Sequence, residues 1–256
     1  MGAELLVIGI DAATWNVIDE NLDRLPNFRR LKEEADAETL VLDQKPWSAS
    51  CWTSMFTGLE TEQHGHTDFH EDGEILGRED IDAEFVWDRL DEEGYDVKAL
   101  NVPFVVPPYS FNVDFRPPAH GAPTEPEEFD EEIEEVTGKA VETLEEEELD
   151  LFITCYVSLD KFQHFHWGED IVPEYYEKVD EAIGRFIDRG EKLIVVSDHG
   201  FTDKDKAEVR TLPDETPAGE IKGEHSKEAI LVTRGISEDI DTIRDVADVI
   251  EREVKG

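Results

Sequence analysis

Five short, largely apolar runs punctuate the chain, most of them too continuous to be a strand with one wet face. Leu5-Leu6-Val7-Ile8-Gly9-Ile10 is the first; the others lie at Val97 to Leu100, Leu151 to Val157, Leu193 to Val196 and Ile230 to Val232. A strand that is apolar on both faces must be covered on both, which is the condition of strands in a parallel sheet. Segments of helical period lie between them. Phe129, Ile133, Val136, Ala140 and Leu144 recur at that spacing through the glutamate-rich stretch from Glu125 to Glu148, whose charged side reads as a solvated face. Ile240, Ile243, Val246, Ile250 and Val254 repeat the pattern near the end, with Ser237 placed to cap a helix. The alternation predicts an α/β fold, a mostly parallel central sheet with helices on both faces. The segment from Pro103 to Pro126 interrupts it with seven prolines and reads as a loop or small cap over one edge of the sheet. With no internal repeat and no linker, residues 1–256 are expected to form one domain.

Charge narrows the partners. The chain carries 65 acidic against 24 basic residues, a formal net charge of −41, spread along its length. Without a basic patch to neutralise phosphates, a nucleic-acid polymer or an anionic membrane is not an expected partner. Self-repulsion on this scale weakens a compact state in dilute buffer, whereas at about 1 M salt the Debye length falls to about 3 Å. The composition therefore suits a high-salt cytoplasm of the halophilic archaeal kind. No stretch approaches the roughly 18–20 apolar residues that cross a bilayer. Met1-Gly2-Ala3-Glu4 leads straight into the first strand without a basic region, so no signal peptide and a cytoplasmic location are expected. Cys51 and Cys155 make no disulfide framework and read as small buried hydrophobes.

Ligands of an open parallel sheet bind just beyond the carboxyl ends of its strands. Three of the apolar runs lead there into residues that bind metals. The first ends at Asp11, the third runs on to Asp160, and the fourth ends in Ser197-Asp198-His199-Gly200. One such acid is as readily a helix cap; three together are harder to dismiss. Asp160 and His164 stand four apart, so on a helix both face the same way and can grip one ion. Carboxylate with imidazole suits zinc, or manganese as a harder alternative. His225 falls in an expected loop before the strand at Ile230. Ser48 opens a short apolar segment that stops at Gly58, a C-terminal signal. A serine at a helix N-terminus is usually a cap, but the same place favours an alkoxide or an incoming phosphate.

In this order the residues resemble the type I phosphodiesterase and nucleotide pyrophosphatase branch of the alkaline phosphatase superfamily. The likeness runs from Gly9-Ile10-Asp11 through Ser48, Trp52-Thr53-Ser54, Thr57-Gly58 and His64-Gly65 to Asp160, His164, Asp198-His199-Gly200 and His225. It implies an alkaline-phosphatase-like catalytic domain with a reduced cap, Ser48 as nucleophile and two divalent metal ions of zinc type. One ion would be held by Asp11, Asp198, His199 and the Ser48 oxygen, the other by Asp160, His164 and His225. Two such ions would neutralise the three aspartates and a Ser48 alkoxide. The implied activity is hydrolysis of a small phosphoester, foremost a phosphodiester or nucleotide pyrophosphate, through a covalent phosphoserine. A phosphomonoesterase or phosphonate hydrolase on the same site is the alternative, and a silent binding protein the remote one.

The sequence departs from that pattern in two places. Nucleotide pyrophosphatases usually place an asparagine shortly after His64-Gly65, where this chain has His66-Thr67-Asp68-Phe69-His70. His66 and His70 are expected at the surface, as are His120 and His166. Many relatives carry threonine in place of Ser48, which keeps the chemistry. Sulfatases share the fold but need proline and arginine at alternate positions after the nucleophile, and Ala49-Ser50-Cys51-Trp52 offers neither. The aromatics Tyr109, Phe111 and Phe115 of the proline-rich segment are candidates for substrate contact or core packing.

Overall fold

The computed structural model describes residues 1–71, 74–103, 126–216 and 219–256. The interior of the proline-rich segment, with Tyr109, Phe111, Phe115 and His120, lies outside the described residues. Strands β1 (Gly2–Ile10), β2 (Asp36–Val41), β3 (Val97–Leu100), β4 (Glu148–Tyr156), β5 (Gly190–Val196) and β8 (Glu228–Arg234) form one sheet in the order β2-β8-β5-β1-β4-β3. β1 pairs in parallel with both β4 and β5, and β3 pairs in parallel with β4. Only β8 runs the other way, antiparallel to β5 and β2. A short hairpin, β6 (Gly200–Asp203) against β7 (Gly223–Ser226), stands beyond the end of β5.

Period-two alternation in β1 divides the core. Leu6, Ile8 and Ile10 face a layer built from α1 (Trp15–Glu20), α2 (Pro26–Glu34), α6 (Pro126–Glu146), α7 (Ser158–His166) and α8 (Ile171–Gly184). Leu5 and Val7 face α3 (Ser48–Thr57), α5 (Val86–Glu92) and α9 (Asp245–Lys255). Each β1 side chain named is fully buried, as continuous apolar runs in a covered sheet require. Between α3 and α5 lies α4 (Thr61–His64), a single capped turn. Among the described residues, no helix is long and apolar enough to cross a membrane.

Two expectations about local structure need correction. The last helix begins at Asp245, and Ser237 does not cap it. The Ser237 amide and hydroxyl instead donate to the Glu253 carboxylate, at 3.0 and 3.1 Å, while Asp245 accepts from the Thr242 amide and hydroxyl. Those side-chain bonds hold 237–244 out of the helix, although Ile240 and Ile243 still reach the core. The glutamate face of α6 is not wholly solvated either. Glu132 is buried and accepts from the Asn101 side chain at 3.1 Å.

Most described basic residues sit against a carboxylate, as in Arg30–Asp188, Arg78–Asp88 and Arg89–Glu251. Such pairs leave most of the 65 acidic groups unneutralised. Raising KCl from 0.1 M to 2 M should therefore raise the melting temperature by about 10 °C, or about 3–4 kcal/mol for a domain of this size. A melting temperature that is flat or falls with salt, followed by circular dichroism, would show that net repulsion does not set the stability.

Candidate metal centre and nucleophile

The carboxyl ends of β5, β1 and β4 finish level, because Gly9 is in register with both Val196 and Cys155, and Ile10 with Tyr156. Each strand then delivers its polar residue to the same crevice. The Asp11 amide still bonds the Tyr156 carbonyl at 2.9 Å, and Ala12 follows with φ of 60°. A left-handed alanine is strained. The turn aims its N–H at Asp198 Oδ1, 3.3 Å away. After β4, the helix α7 places Asp160 and His164 one turn apart, as expected. His225 lies in strand β7, opposite Phe201, and not in a loop. The pairing of β7 with β6 carries it back over His199.

Ser48 is the first residue of α3, whose cap is Trp47 and whose end is Gly58 with φ of 78°. The Ser48 hydroxyl does not cap the helix; Oγ lies 2.9 Å from His199 Nε2. Asp11 does not cap α1, whose cap is Thr14, and Asp160 lies within the first turn of α7, which has no side-chain cap.

The hydrogen bonds fix the ring tautomers. His164, His199 and His225 each set Nδ1 against a backbone carbonyl, of Gly223 at 3.0 Å, Gly200 at 3.0 Å and Pro46 at 2.6 Å. A carbonyl only accepts, so each Nδ1 carries a proton and each ring turns its Nε2 inward. His164 Nε2 and His225 Nε2 then face each other at 3.0 Å. Two lone pairs do not bond each other; that geometry calls for a cation or a proton between them. His199 Nε2 meets Asp198 Oδ2 at 3.3 Å and Asp11 Oδ1 at 3.6 Å. Asp160 Oδ1 lies 2.9 Å from His225 Nε2 and 3.4 Å from His164 Nε2.

Those spacings decide what the cluster can hold. Tetrahedral donors about 2.1 Å from a zinc ion stand about 3.4 Å from one another. Asp11 Oδ1, Asp160 Oδ1 and Asp198 Oδ2 are buried and have no hydrogen-bond partner. Orphaned carboxylate oxygens are costly unless something positive meets them. The donor atoms of Asp11, Asp198 and His199 fall within 4.8 Å of one another, and so do those of Asp160, His199 and His225. His199 thus belongs to both donor groups, while His164 Nε2 stands beside the second, 3.0 Å from His225 Nε2.

Proton affinities follow the same crowding. Burial, then the charges of Asp198 and Asp160, pushes Asp11 far above the ordinary carboxylate range. Burial and then Asp160 do the same to Asp198. Burial would also raise Asp160, but His164 and His225 outweigh it and hold that carboxyl low. Burial, then repulsion from His225, lowers His199 and keeps its ring neutral.

Several supporting residues escaped the sequence reading. Trp52, one helical turn after Ser48, donates Nε1–H to Asp11 Oδ2 at 3.2 Å and so leaves Oδ1 free to face the crevice. Gly9 makes room for that indole: a Cβ there would lie 2.7 Å from Trp52 Cη2 and 2.4 Å from Cys155 Sγ. Gln163 bonds the Ala12 carbonyl at 3.1 Å and is itself held by the Tyr176 hydroxyl at 3.0 Å. The spacing of Trp52 from Ser48 could have flagged the first; nothing in the sequence pointed to the second. Cys51 and Cys155 are buried and free, as expected. His166 pairs with Glu169, and His66 is half-buried, its ring stacked on His64.

His64 has a structural part. Its Nδ1 accepts from the His66 amide at 3.1 Å, so Nε2–H donates to Ser54 Oγ at 3.0 Å and ties α4 to α3. Burial, then His66, lowers its pKa from 6.5 to about 4. Because the unfolded chain protonates first, stability should be full above pH 6.5 and be lost as pH falls towards about 4. His64→Gln should flatten that part of the curve of unfolding free energy against pH. An unchanged slope would show that this ring does not carry the dependence.

Comparison with known proteins places these features. Among curated protein sequences, none matches this chain. Murine ectonucleotide pyrophosphatase/phosphodiesterase 5 superposes with a TM-score of 0.71 at 12% identity, covering 98% of this chain and 95% of that one. Phosphonoacetate hydrolase from Sinorhizobium meliloti 1021 gives a TM-score of 0.59 at 16% identity over 79% of this chain. This chain spans only 57% of that hydrolase. The structure titled BT1596, a 2-O GAG sulfatase, gives 0.67 at 10% identity, covering 100% of this chain and 71% of that one. At such identities the likeness is one of fold. Sequence goes further, since residues 5–253 match the type I phosphodiesterase / nucleotide pyrophosphatase family. The chain belongs to that family, within the alkaline phosphatase superfamily.

Proposed function

We propose that the chain hydrolyses phosphodiesters or nucleotide pyrophosphates, with Ser48 as nucleophile beside two divalent ions. Asp11, Asp198, His199 and Ser48 Oγ would hold one ion, and Asp160, His164 and His225 the other. The observation that carries this reading is the set of three orphaned carboxylate oxygens clustered with three inward-turned imidazole Nε2 atoms. Zinc-type ions there would lower the pKa of the serine hydroxyl and offset phosphate charge. The protein supplies the rest. The N-terminus of α3 favours negative charge on Ser48, and the backbone carbonyls lock each imidazole in its tautomer. Asp11, Asp198, His164, His199 and His225 are buried, whereas Ser48 and Asp160 are only partly covered, so substrate would meet the cluster at those two.

Ser48 Oγ would attack phosphorus as the bond to the leaving oxygen breaks, and water would then release the phosphoryl group from the serine. The murine neighbour offers a parallel: a variant with threonine replaced by alanine is described as inactive, in complex with AMP. A phosphonate-cleaving or monoesterase role on the same site is the second reading, favoured by the phosphonoacetate hydrolase fold likeness.

The test is metal analysis together with hydrolysis of bis(p-nitrophenyl) phosphate and p-nitrophenyl phosphate in high-salt buffer. About two divalent ions per chain, faster diester cleavage and loss of activity on chelation are expected. Preference for the monoester would favour the second reading. Bound metal with no turnover on either would leave a silent binding protein.

A further inference from the structure

In a chain with so few bases, a lysine without an acid partner is notable. Lys45 and Lys227 make no ion pair among the described residues, although the Asp43 carboxyl is held low by Arg244 and, in smaller part, by the nearby Lys227. Both line one cavity of about 580 Å³, whose wall also includes Trp47, the residue before Ser48, with Ser50 and Thr61. The acidic groups on that wall are mostly engaged. Asp43 makes a two-bond ion pair with Arg244 at 2.5 and 2.9 Å, and Glu60 caps α4; Glu62 is exposed. Lys45 is exposed yet held, its ammonium 4.2 Å from the centre of the Trp47 ring. Lys227 is half-buried and follows His225 by two residues. It also lines the smaller cavity that reaches His225 and Pro46. Lys227 thus belongs to both cavities, one walled by Trp47 and the other by His225.

We infer that Lys45 and Lys227 form a subsite for a second anionic group on the substrate, a phosphate or carboxylate away from the scissile bond. The inference rests on the proposed hydrolysis at Ser48 and adds the class of substrate: a phosphodiester bearing a further negative charge. In a field this acidic, two local cations are what would admit such a ligand. Ser50 and Thr61 bond each other through their hydroxyls at 2.7 Å, which leaves one free O–H of the pair as a neutral donor on the same wall.

Two chromogenic nucleotides isolate the effect: thymidine 5′-(p-nitrophenyl phosphate) with and without a 3′-phosphate. The leaving group and scissile bond are the same in both. For the wild type, the 3′-phosphate should lower KM by about tenfold, the scale of a charge-assisted hydrogen bond, with little change in kcat. In the Lys45→Gln/Lys227→Gln double variant the two substrates should have similar KM values. Lys139→Gln/Lys255→Gln, an equal charge change away from the cavity, should keep the wild-type ratio. Equal KM values in the wild type, or the same loss in both double variants, would overturn the subsite. Calorimetric binding of the two nucleotides runs in parallel. If neither is hydrolysed, the proposed activity fails, while the ratio of dissociation constants still decides the subsite.

Discussion

Ser48→Ala is expected to lower turnover of bis(p-nitrophenyl) phosphate by at least about 10³-fold, the scale on which loss of a nucleophile is felt. The fold should survive. Ser48 is at the mouth of the crevice, its hydroxyl bonds only the His199 ring, and it caps nothing. Ser48→Thr provides the complementary arm, since it restores an attacking hydroxyl at the cost of one methyl group. It should recover activity to within about tenfold of the wild type, because general positioning by α3 is kept. Circular dichroism and metal analysis on both variants separate chemistry from damage. Near-native turnover by Ser48→Ala with its metal retained would mean that another group attacks phosphorus.

How far the sequence could be read follows from the kind of information each feature needs. The strands were legible because burial on both faces leaves largely apolar runs, and Val97–Leu100 is a strand over those very residues despite Lys98, whose ammonium reaches Glu147. The convergence of Asp11, Asp160, Asp198 and His199 was legible because parallel strands bring their carboxyl ends together whatever lies between them in sequence. Asp11, Asp160 and Asp198 come from chain positions far apart, yet the register of β1 with β4 and β5 sets them level. What was not legible depends on tertiary pairing. The strand that holds His225 forms only because Gly223–Ser226 finds Gly200–Asp203, and no local pattern in Gly-Glu-His-Ser announces that. Ser237 resembles a cap until Glu253, a full helix away, takes its donors. Trp52 looks like core and is core, but its one polar atom is spent on Asp11.

The second large effect pulls function and stability apart. Asp198→Asn should abolish metal binding at the first ion site and with it most of the turnover, yet raise the melting temperature of the metal-free protein. Asp198 is fully buried and its Oδ2 has no hydrogen-bond partner. An asparagine in the same rotamer keeps an oxygen for the Ala12 amide and turns an NH₂ towards His199 Nε2, where Oδ2 now stands at 3.3 Å. A lone pair facing a buried carboxylate becomes a hydrogen bond, and one buried negative charge beside Asp11 and Asp160 is removed. An unsatisfied buried acceptor costs about 1–3 kcal/mol, so a gain of about 2–10 °C is expected at pH 8 and fixed salt. Added zinc should then stabilise the wild type and leave the variant nearly unmoved, because ligand linkage needs an intact site. A metal-free variant that melts below the wild type would show that Asp198 is held by interactions other than those facing the crevice. A variant that still binds two ions would remove Asp198 from the ligand set. The opposed signs make the experiment decisive: a residue kept for the fold alone does not cost stability when the ion is absent.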